Sequence, residues 1–165
     1  MAPLVSVIIV NHNGIEFVEA CLRSILASLY QNIEIIFVDN GSSDGSLEYV
    51  REAFGNQKQL RIIENSASLG PAVGRNRGAK VSRGAYLAFL DNDTKVQPNW
   101  LSELIKVFEQ DDSIGAAQSK LLRMETNFYD CAGDYLGPLG FLIERSRGAE
   151  DKGQFDYIAD ILNAK

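Results

Sequence analysis

A chain of 165 residues, 45% apolar and 23% charged, is long enough for one domain to bury a core of its own. A net charge of −6 and a pI near 4.8 exclude the broad basic footprint of bulk nucleic-acid binding. They leave room for one nucleotide held by a few local Arg side chains.

The apolar run Val5 to Val10 is too short for a signal-peptide core, so no secretory leader is expected. No apolar stretch approaches the ~18 residues of a transmembrane helix. The two cysteines, Cys21 and Cys131, make no disulfide framework. Cys21 falls on the apolar face of a predicted helix and reads as a reduced, buried thiol, which suits the cytoplasm.

Leu4 to Val10, rich in β-branched residues, predicts a buried strand of the parallel type. It stops at the turn cluster Asn11-His12-Asn13-Gly14. From Phe17, apolar residues at 17, 21, 22, 25, 26 and 29 trace a helical stripe that ends near Ser28 to Gln31. Ile33 to Val38 is a second strand, running into the polar segment Asp39 to Ser46. Ser43 or Asp44 is placed to cap the next helix, whose Leu47, Val50 and Phe54 share a face.

Leu60 to Glu64 predicts a short third strand, and a loop through Gly70-Pro71 leads to a helix over Ala72 to Val81. Ala85 to Leu90 reads as a buried fourth strand ending on Asp91-Asn92-Asp93-Thr94-Lys95-Val96. Pro98 suits the first turn of a helix carrying Leu101, Leu104, Ile105 and Phe108 on one side. Ile114 to Leu122 predicts a fifth strand. From about residue 123 glycines punctuate a loop-rich section, with a strand or hairpin arm over Leu139 to Glu144 and a short helix over Phe155 to Leu162.

This alternation predicts an α/β, Rossmann-like fold in a single domain over 1–165: a mostly parallel sheet with helices on both faces. Such sheets bind ligands beyond the carboxyl ends of their strands. Asn11 to Gly14, Asp39 to Ser46 and Asp91 to Thr94 all fall at that edge.

Carboxylates are costly to bury unless paired or bound to a cation. Asp91 and Asp93, spaced i and i+2, point to one side if the strand continues through them. One could hold ribose hydroxyls and the other Mg²⁺ or Mn²⁺, since hard cations take one or two carboxylates plus substrate phosphates. A polar turn closing the strand accounts for the same residues without a ligand. Arg75 can pair with phosphate through two parallel hydrogen bonds, whereas Arg77 reads equally well as a solvated helix face. Asp39 can accept from a base N–H or a ribose hydroxyl, or close a turn, and Asn40 suits either role. Asp44 and Ser46 read as capping residues, and His12, the single histidine, as a turn residue. No Cys/His metal spacing, phosphate-binding loop or dinucleotide fingerprint is present.

Taken in order, Val5-Ser6-Val7-Ile8-Ile9-Val10-Asn11-His12-Asn13-Gly14, Val38-Asp39-Asn40-Gly41-Ser42-Ser43-Asp44-Gly45-Ser46, Gly70 with Gly74-Arg75-Asn76-Arg77-Gly78, and Phe89-Leu90-Asp91-Asn92-Asp93 resemble the successive motifs of family 2 glycosyltransferases. The resemblance covers roughly residues 4 to 125 and implies the GT-A fold. It implies a dTDP-, UDP- or GDP-sugar donor and inverting transfer to the hydroxyl of a glycan or lipid-linked acceptor, as in polysaccharide biosynthesis. It assigns nucleoside contacts to Val10, Asn11 and Asn13, and base or ribose contacts to Asp39 and Asn40. It sets Arg75 near the base or diphosphate, Asp91 toward the ribose, Asn92 among the nucleotide-sugar contacts, and Asp93 on the metal, as in the family's D-x-D motif.

Asn40 stands where many relatives carry a second acid, and the Asn-bearing motifs resemble a rhamnosyltransferase-type branch, which favours dTDP-rhamnose. Members place a carboxylate general base well past the D-x-D, in an acceptor-binding half. Nothing of that kind precedes Lys165, so no catalytic base is assigned and the chain reads as truncated, with Gly153-Gln154-Phe155-Asp156 approaching that region. A lipid-linked acceptor would bring the protein to the inner membrane surface.

Two other readings compete. A non-catalytic nucleotide-sugar-binding module fits the missing base. A haloacid-dehalogenase-type phosphatase fits Asp91 to Val96, with Asp130 and Asp134 as a second acidic pair, but its signature belongs on a first strand and three strand units precede it here.

Overall fold

The computed structural model of the protein describes residues 2–139 and 141–161. The chain divides into two compact units, with the boundary between Pro98 and Asn99. The first contains β1 (Val5–Asn11), α1 (Val18–Leu26), β2 (Ile33–Asn40), α2 (Ser46–Phe54), β3 (Leu60–Asn65), α3 (Pro71–Val81) and β4 (Tyr86–Asp91). Its four strands form one wholly parallel sheet in the order β3-β2-β1-β4.

β1 and β2 are the central strands, and their near-continuous apolarity is explained by cover on both faces. Val5, Val7, Ile8 and Ile9 of β1 and Ile35, Ile36, Phe37 and Val38 of β2 are at most 1% exposed. From β1 to β2 to β3 the chain steps in one direction, then returns past β1 to lay down β4. Right-handed crossovers therefore put α1 and α2 on one face and α3 on the other. α1 and α2 touch, with the Arg23 guanidinium 5.7 Å from the Phe54 ring centre. α3 lies on the face of Ile8, Val10 and Val38, and it can lie that close because it carries glycines there. A Cβ at Gly74 would stand 2.7 Å from Val10 Cγ1, and one at Gly78 2.5 Å from Ile8 Cγ2.

At the opposite end of the sheet from the strand-end segments, Glu34 is only 7% exposed. Ser6 Oγ donates to its Oε1 at 2.6 Å, as does the Arg83 backbone N–H at 2.6 Å, while Arg83 Nε donates to Oε2 at 3.0 Å. Burial pushes the Glu34 carboxyl up, but the hydrogen bonds from Ser6 and Arg83 outweigh it and hold the group below its ordinary 4.5. The cluster fixes the connection from α3 to β4 against the starts of β1 and β2.

The second unit holds α4 (Trp100–Gln110) and two antiparallel hairpins, β5 (Leu121–Leu122) with β6 (Tyr129–Cys131) and β7 (Asp134–Leu136) with β8 (Leu142–Glu144). Tyr129 and Cys131 are fully buried. Phe155 sets its edge against Tyr129 at 5.4 Å, Lys120 donates to Asp151 at 2.7 Å and to Asp156, and the Tyr129 hydroxyl donates to Asp151. Lys120 and Tyr129 together hold the Asp151 carboxyl down at about 2.

Several elements differ from their sequence expectation. The stretch 114–122 is a strand only at Leu121–Leu122, paired antiparallel with β6 and outside the parallel sheet. Gly115, Ala116 and Ala117 have little to pack on a pleated surface. Phe155 to Ile161 form no helix, because Phe155 and Asp156 are drawn into the Tyr129–Lys120 cluster; Leu162 lies outside the described residues. Of the segment 139–144, Leu142–Glu144 is a hairpin arm and Gly140 lies outside the described residues.

α1 buries Val18, Cys21, Leu22 and Ile25, while Phe17 and Leu29, at the ends of the expected stripe, are exposed. The cap of α2 is Gly45, at φ 84°, rather than Ser43 or Asp44. Asp44 still serves that helix start, accepting from the Ser46 N–H at 3.0 Å and the Ser46 hydroxyl at 2.6 Å. Pro98 belongs to the turn before α4, where its carbonyl accepts from the Leu29 N–H at 2.7 Å. β4, expected to be buried, is an edge strand with Leu87 and Phe89 at 43% and 47% exposure.

Two consequences can be measured. Gly78→Ala gains helix propensity of ~1 kcal/mol but overpacks Ile8, so denaturant titration should show a net loss of roughly 1–2 kcal/mol. Because the folded Glu34 carboxyl is held below its unfolded value, its contribution is fully present above about pH 4.5 and disappears as pH falls through the folded value. Glu34→Gln should therefore flatten stability against pH on the acid side, an outcome checked by urea midpoints from pH 6 to 3.

Candidate functional site

The carboxyl ends of the four strands bring polar side chains into register: Asn11 lies opposite Asp39, Asn40 opposite Asn65, and Val10 opposite Asp91. The chain reverses its direction of travel across the sheet between β1 and β4, which opens a crevice at this edge.

Asn11 is fully buried. Its Nδ2 lies 3.1 Å from Asp39 Oδ1, 3.0 Å from Ser42 Oγ and 2.8 Å from Ser46 Oγ, and its Oδ1 accepts from Asn92 Nδ2 at 2.7 Å. One side chain thus ties the end of β1 to the end of β2, the start of α2 and the turn after β4. Asp39 is 1% exposed. Besides Asn11, its carboxylate accepts from the Ser42 N–H at 3.0 Å and the Ser42 hydroxyl at 2.5 Å. A carboxylate has about four acceptor positions, so Asp39 is three-quarters committed within the protein. Asn13, in the left-handed region at φ 52°, accepts from the Ser43 N–H at 2.8 Å, and its own N–H donates to Ser42 Oγ at 3.0 Å.

A second lattice starts from Asn40, which is 2% exposed. It donates to the Gly70 carbonyl at 3.2 Å and accepts from Asn65 Nδ2 at 3.1 Å and the Leu69 N–H at 3.2 Å. The Arg77 guanidinium donates to Asn65, so Arg77 is a brace rather than a bare solvated cation. His12 Nδ1 lies 3.0 Å from the Asn40 carbonyl. A carbonyl only accepts, so Nδ1 is the donor of this bond.

The acidic segment is a turn. β4 ends at Asp91, and the Thr94 N–H donates to the Asp91 carbonyl at 3.2 Å. The same-side rule for i and i+2 therefore does not govern Asp91 and Asp93, since the strand does not continue through Asn92. Asp91 Oδ1 accepts from Arg75 Nη2 at 2.6 Å, an exposed pair. Asp93 is exposed, with no hydrogen bond or ion pair among the described residues. Cys21 Sγ lies 3.8 Å from the Asp91 carbonyl. Burial, then the negative charges of Asp93 and Asp91, push that free thiol up to about 12, so it stays protonated and unreactive.

A cavity of about 200 Å³ opens here, lined by Val10, His12, Asn40, Ser68, Gly70, Pro71, Asp91 and Asn92. Gly70 and Pro71 are the cap and first residue of α3, so the positive end of that helix faces the cavity. Val10, Asn40, Asp91 and Asn92 are thus brought together on its wall, Arg75 joins through Asp91, and Asn11 and Asp39 lie buried in the framework. Asn65 and Ser68 were not singled out by sequence, and Ser42 and His12 stood within the motifs without a role of their own at the site. Only their place at strand ends hinted at it, because Ser, Asn and His have many other uses in turns.

Among the described residues no cluster of three or more His, Cys, Asp or Glu could hold a metal by itself. The free carboxylate of Asp93, with Asp91 beside it in the turn, fits a hard cation that takes most of its oxygens from a phosphate ligand and water.

The sequence pattern of glycosyl transferase family 2 matches residues 6–136. A glycosyltransferase of Haemophilus influenzae is 34% identical over 119 residues, covering 72% of this chain and 37% of that protein. The glycosyltransferase GlyG of Streptococcus pneumoniae is 32% identical over 113 residues, covering 68% of this chain and 38% of that one. The chain thus spans little more than a third of the length of the curated relatives it matches. Among solved structures, the mannosyltransferase PcManGT from Pyrobaculum calidifontis, in complex with GDP-Man and Mn²⁺, superposes with a TM-score of 0.69 at 24% identity, covering 74% of this chain and 36% of that one. S. aureus TarS 1-349 in complex with UDP-GlcNAc gives a TM-score of 0.60 at 22% identity, over 72% of this chain and 38% of that one. Likeness at these identities shows a shared fold, the GT-A fold.

Replacing Asn11 by Leu would strip Asp39, Ser46 and Asn92 of their shared partner inside the protein. A loss of about 3 kcal/mol is expected, at the upper end for unsatisfied buried groups, with Asn11→Asp intermediate; thermal and urea unfolding measure both.

Proposed function

The chain belongs to glycosyl transferase family 2, and on that premise we propose that its strand-end cavity holds the nucleoside diphosphate of a sugar donor. The chain would supply the donor site for transfer of that sugar, with inversion, to the hydroxyl of a glycan or lipid-linked acceptor. The observation that carries this is the convergence of the α3 N-terminus with Asp91 and Asn92 on one cavity at the switch point of the sheet, Arg75 being ion-paired to Asp91 and the exposed Asp93 following in the same turn. Positive helix end and guanidinium suit phosphates, while unpaired carboxylate suits a cation bridging to them.

In this reading Val10, His12 and Asn40 form the wall for the nucleoside, with Asn13 at its outer loop. Asn11 and Asp39 are three- to four-fold hydrogen-bonded inside the protein, so their part is chiefly to hold that wall, with one acceptor position of Asp39 left for a base N–H or ribose hydroxyl. Asp91 faces the ribose and Asp93 the cation, while the Asn92 amide between them is taken up by Asn11. A divalent cation, Mg²⁺ or Mn²⁺, would neutralise the departing diphosphate when bound. Arg75, held by Asp91, would turn toward the phosphates when they bind. Transfer requires the acceptor oxygen to bond to the anomeric carbon as the bond to phosphate breaks, its proton passing to a base; no residue of this chain is assigned that role. PcManGT, described with GDP-Man and Mn²⁺, and TarS, described with UDP-GlcNAc, support a nucleotide-sugar ligand but not a choice of base or sugar. Family membership displaces the phosphatase reading. No helix among the described residues is long and apolar enough to cross a membrane.

Thermal-shift titration with UDP, GDP and dTDP, with and without Mn²⁺, tests the proposal. At least one nucleotide should stabilise the protein, and Mn²⁺ should add to the effect; at one hundred times Kd the stabilisation is about 2.7 kcal/mol. Asp93→Ala should keep the ligand-free melting temperature, because the side chain is exposed and unpaired, yet lose the Mn²⁺-dependent part. No response to any nucleotide, or an undiminished Mn²⁺ effect in Asp93→Ala, would count against it.

A further inference from the structure

Gly14 is a glycine for reasons of space rather than backbone conformation. Its φ is not positive. A Cβ at this position would lie 2.0 Å from Asn92 Nδ2, 3.2 Å from Asn92 Cγ and 2.6 Å from Asn11 Oδ1. It would stand in the middle of the Asn92–Asn11 hydrogen bond. Neither Gly14 nor Asn11 is free to retreat. The Gly14 carbonyl accepts from the Phe17 and Val18 N–H groups at 2.9 and 3.1 Å, which pins it to the start of α1. Asn11 is fully buried and its Nδ2 is shared among Asp39, Ser42 and Ser46. Asn92 is partly exposed, on a turn, and is the member that must yield.

The turn that Asn92 belongs to is held at few points. Arg75 grips Asp91 from α3 through an exposed ion pair, and beyond the turn the Val96 N–H donates to Ser24 Oγ at 3.2 Å. The Asn92–Asn11 bond is its link into the lattice that also holds Asp39. We propose that Gly14 and Asn92 are positioning residues for the acidic turn. The empty slot above Gly14 admits the Asn92 amide, and the bond made there sets where Asp91 and Asp93 stand relative to Asp39. It thereby controls the affinity for a divalent cation bound together with a nucleoside diphosphate. This rests on the donor-binding reading above and extends it to two residues that act through others: neither is offered as a ligand of the cation.

The experiment is calorimetric titration of UDP and GDP, each with and without Mn²⁺, into the unaltered chain, Gly14→Ala, Asn92→Ala and the double variant. Each single change should weaken Mn²⁺-dependent binding by about tenfold, the usual scale for partners behind a metal ligand. Metal-free nucleotide affinity should fall by clearly less than the Mn²⁺-dependent part, and the double variant should be no weaker than the worse single one, because both changes break the same bond. Equal losses with and without Mn²⁺ would mark a merely structural role and overturn the proposal, as would full Mn²⁺-dependent affinity in Asn92→Ala or additive losses in the double variant. Should Gly14→Ala not fold, Asn92→Ala decides alone, since its side chain lies on a partly exposed turn. If the unaltered chain binds a nucleotide but the variants match it, only this inference falls; if the unaltered chain binds none, the donor-binding reading falls and takes this one with it.

Discussion

A polar side chain buried at the end of a central strand has to find all its partners inside the protein, and at Asn11 that requirement organises the whole strand-end edge. An unsatisfied buried amide costs about 1–3 kcal/mol, so the partners are held as firmly as Asn11 is. Its amide reaches Asp39 and Ser42 at the end of β2 and Ser46 at the start of α2, and its carbonyl oxygen receives Asn92 from the turn after β4. Three segments far apart in sequence are thereby fixed against one another. Asn40 does the same on the other side, holding β3 through Asn65 and the approach to α3 through Leu69 and Gly70.

The lattice has this effect because of the strand order. With β4 placed beside β1 and the other crossovers running away from it, the edge opens between the two strands, and α3 meets the sheet with its N-terminus toward the opening. α3 can sit low enough only because Gly74 and Gly78 leave room for Val10 and Ile8. The same close approach brings Arg75 to Asp91. Packing on one face of the sheet thus sets the electrostatics of its edge: a helix end and a guanidinium beside carboxylates that the protein leaves partly or wholly unpaired.

Polar residues at this edge divide into those that build and those that face outward, and the motifs mix the two. Asp39 and Asn11 have the residue types of ligand contacts, yet nearly all of their hydrogen-bonding capacity is used within the protein. Asp93, two residues from a strand end, has no hydrogen bond or ion pair among the described residues. This division leaves the surface of the cavity open to a ligand and the buried residues to define its shape.

Much of the first unit is legible in the sequence. The short β-branched runs at 5–10 and 33–38 read as buried strands, the stripe Cys21-Leu22-Ile25 reads as one helix face, and strands alternating with helices lead to a parallel sheet whose ligands bind at the strand ends. The motif series from Val5 to Asp93 also carries the family. These are local properties, written in periodicity and residue type. Tertiary structure alone decided the rest. That β4 is an edge strand depends on the order of pairing, which apolarity does not encode. That Asp91–Thr94 is a turn, that Phe155 joins Tyr129 instead of starting a helix, and that Gly14 exists to clear space for Asn92 all depend on neighbours dozens of residues away. A sequence states which groups must be buried or satisfied; which partner satisfies each is chosen only when the chain closes on itself.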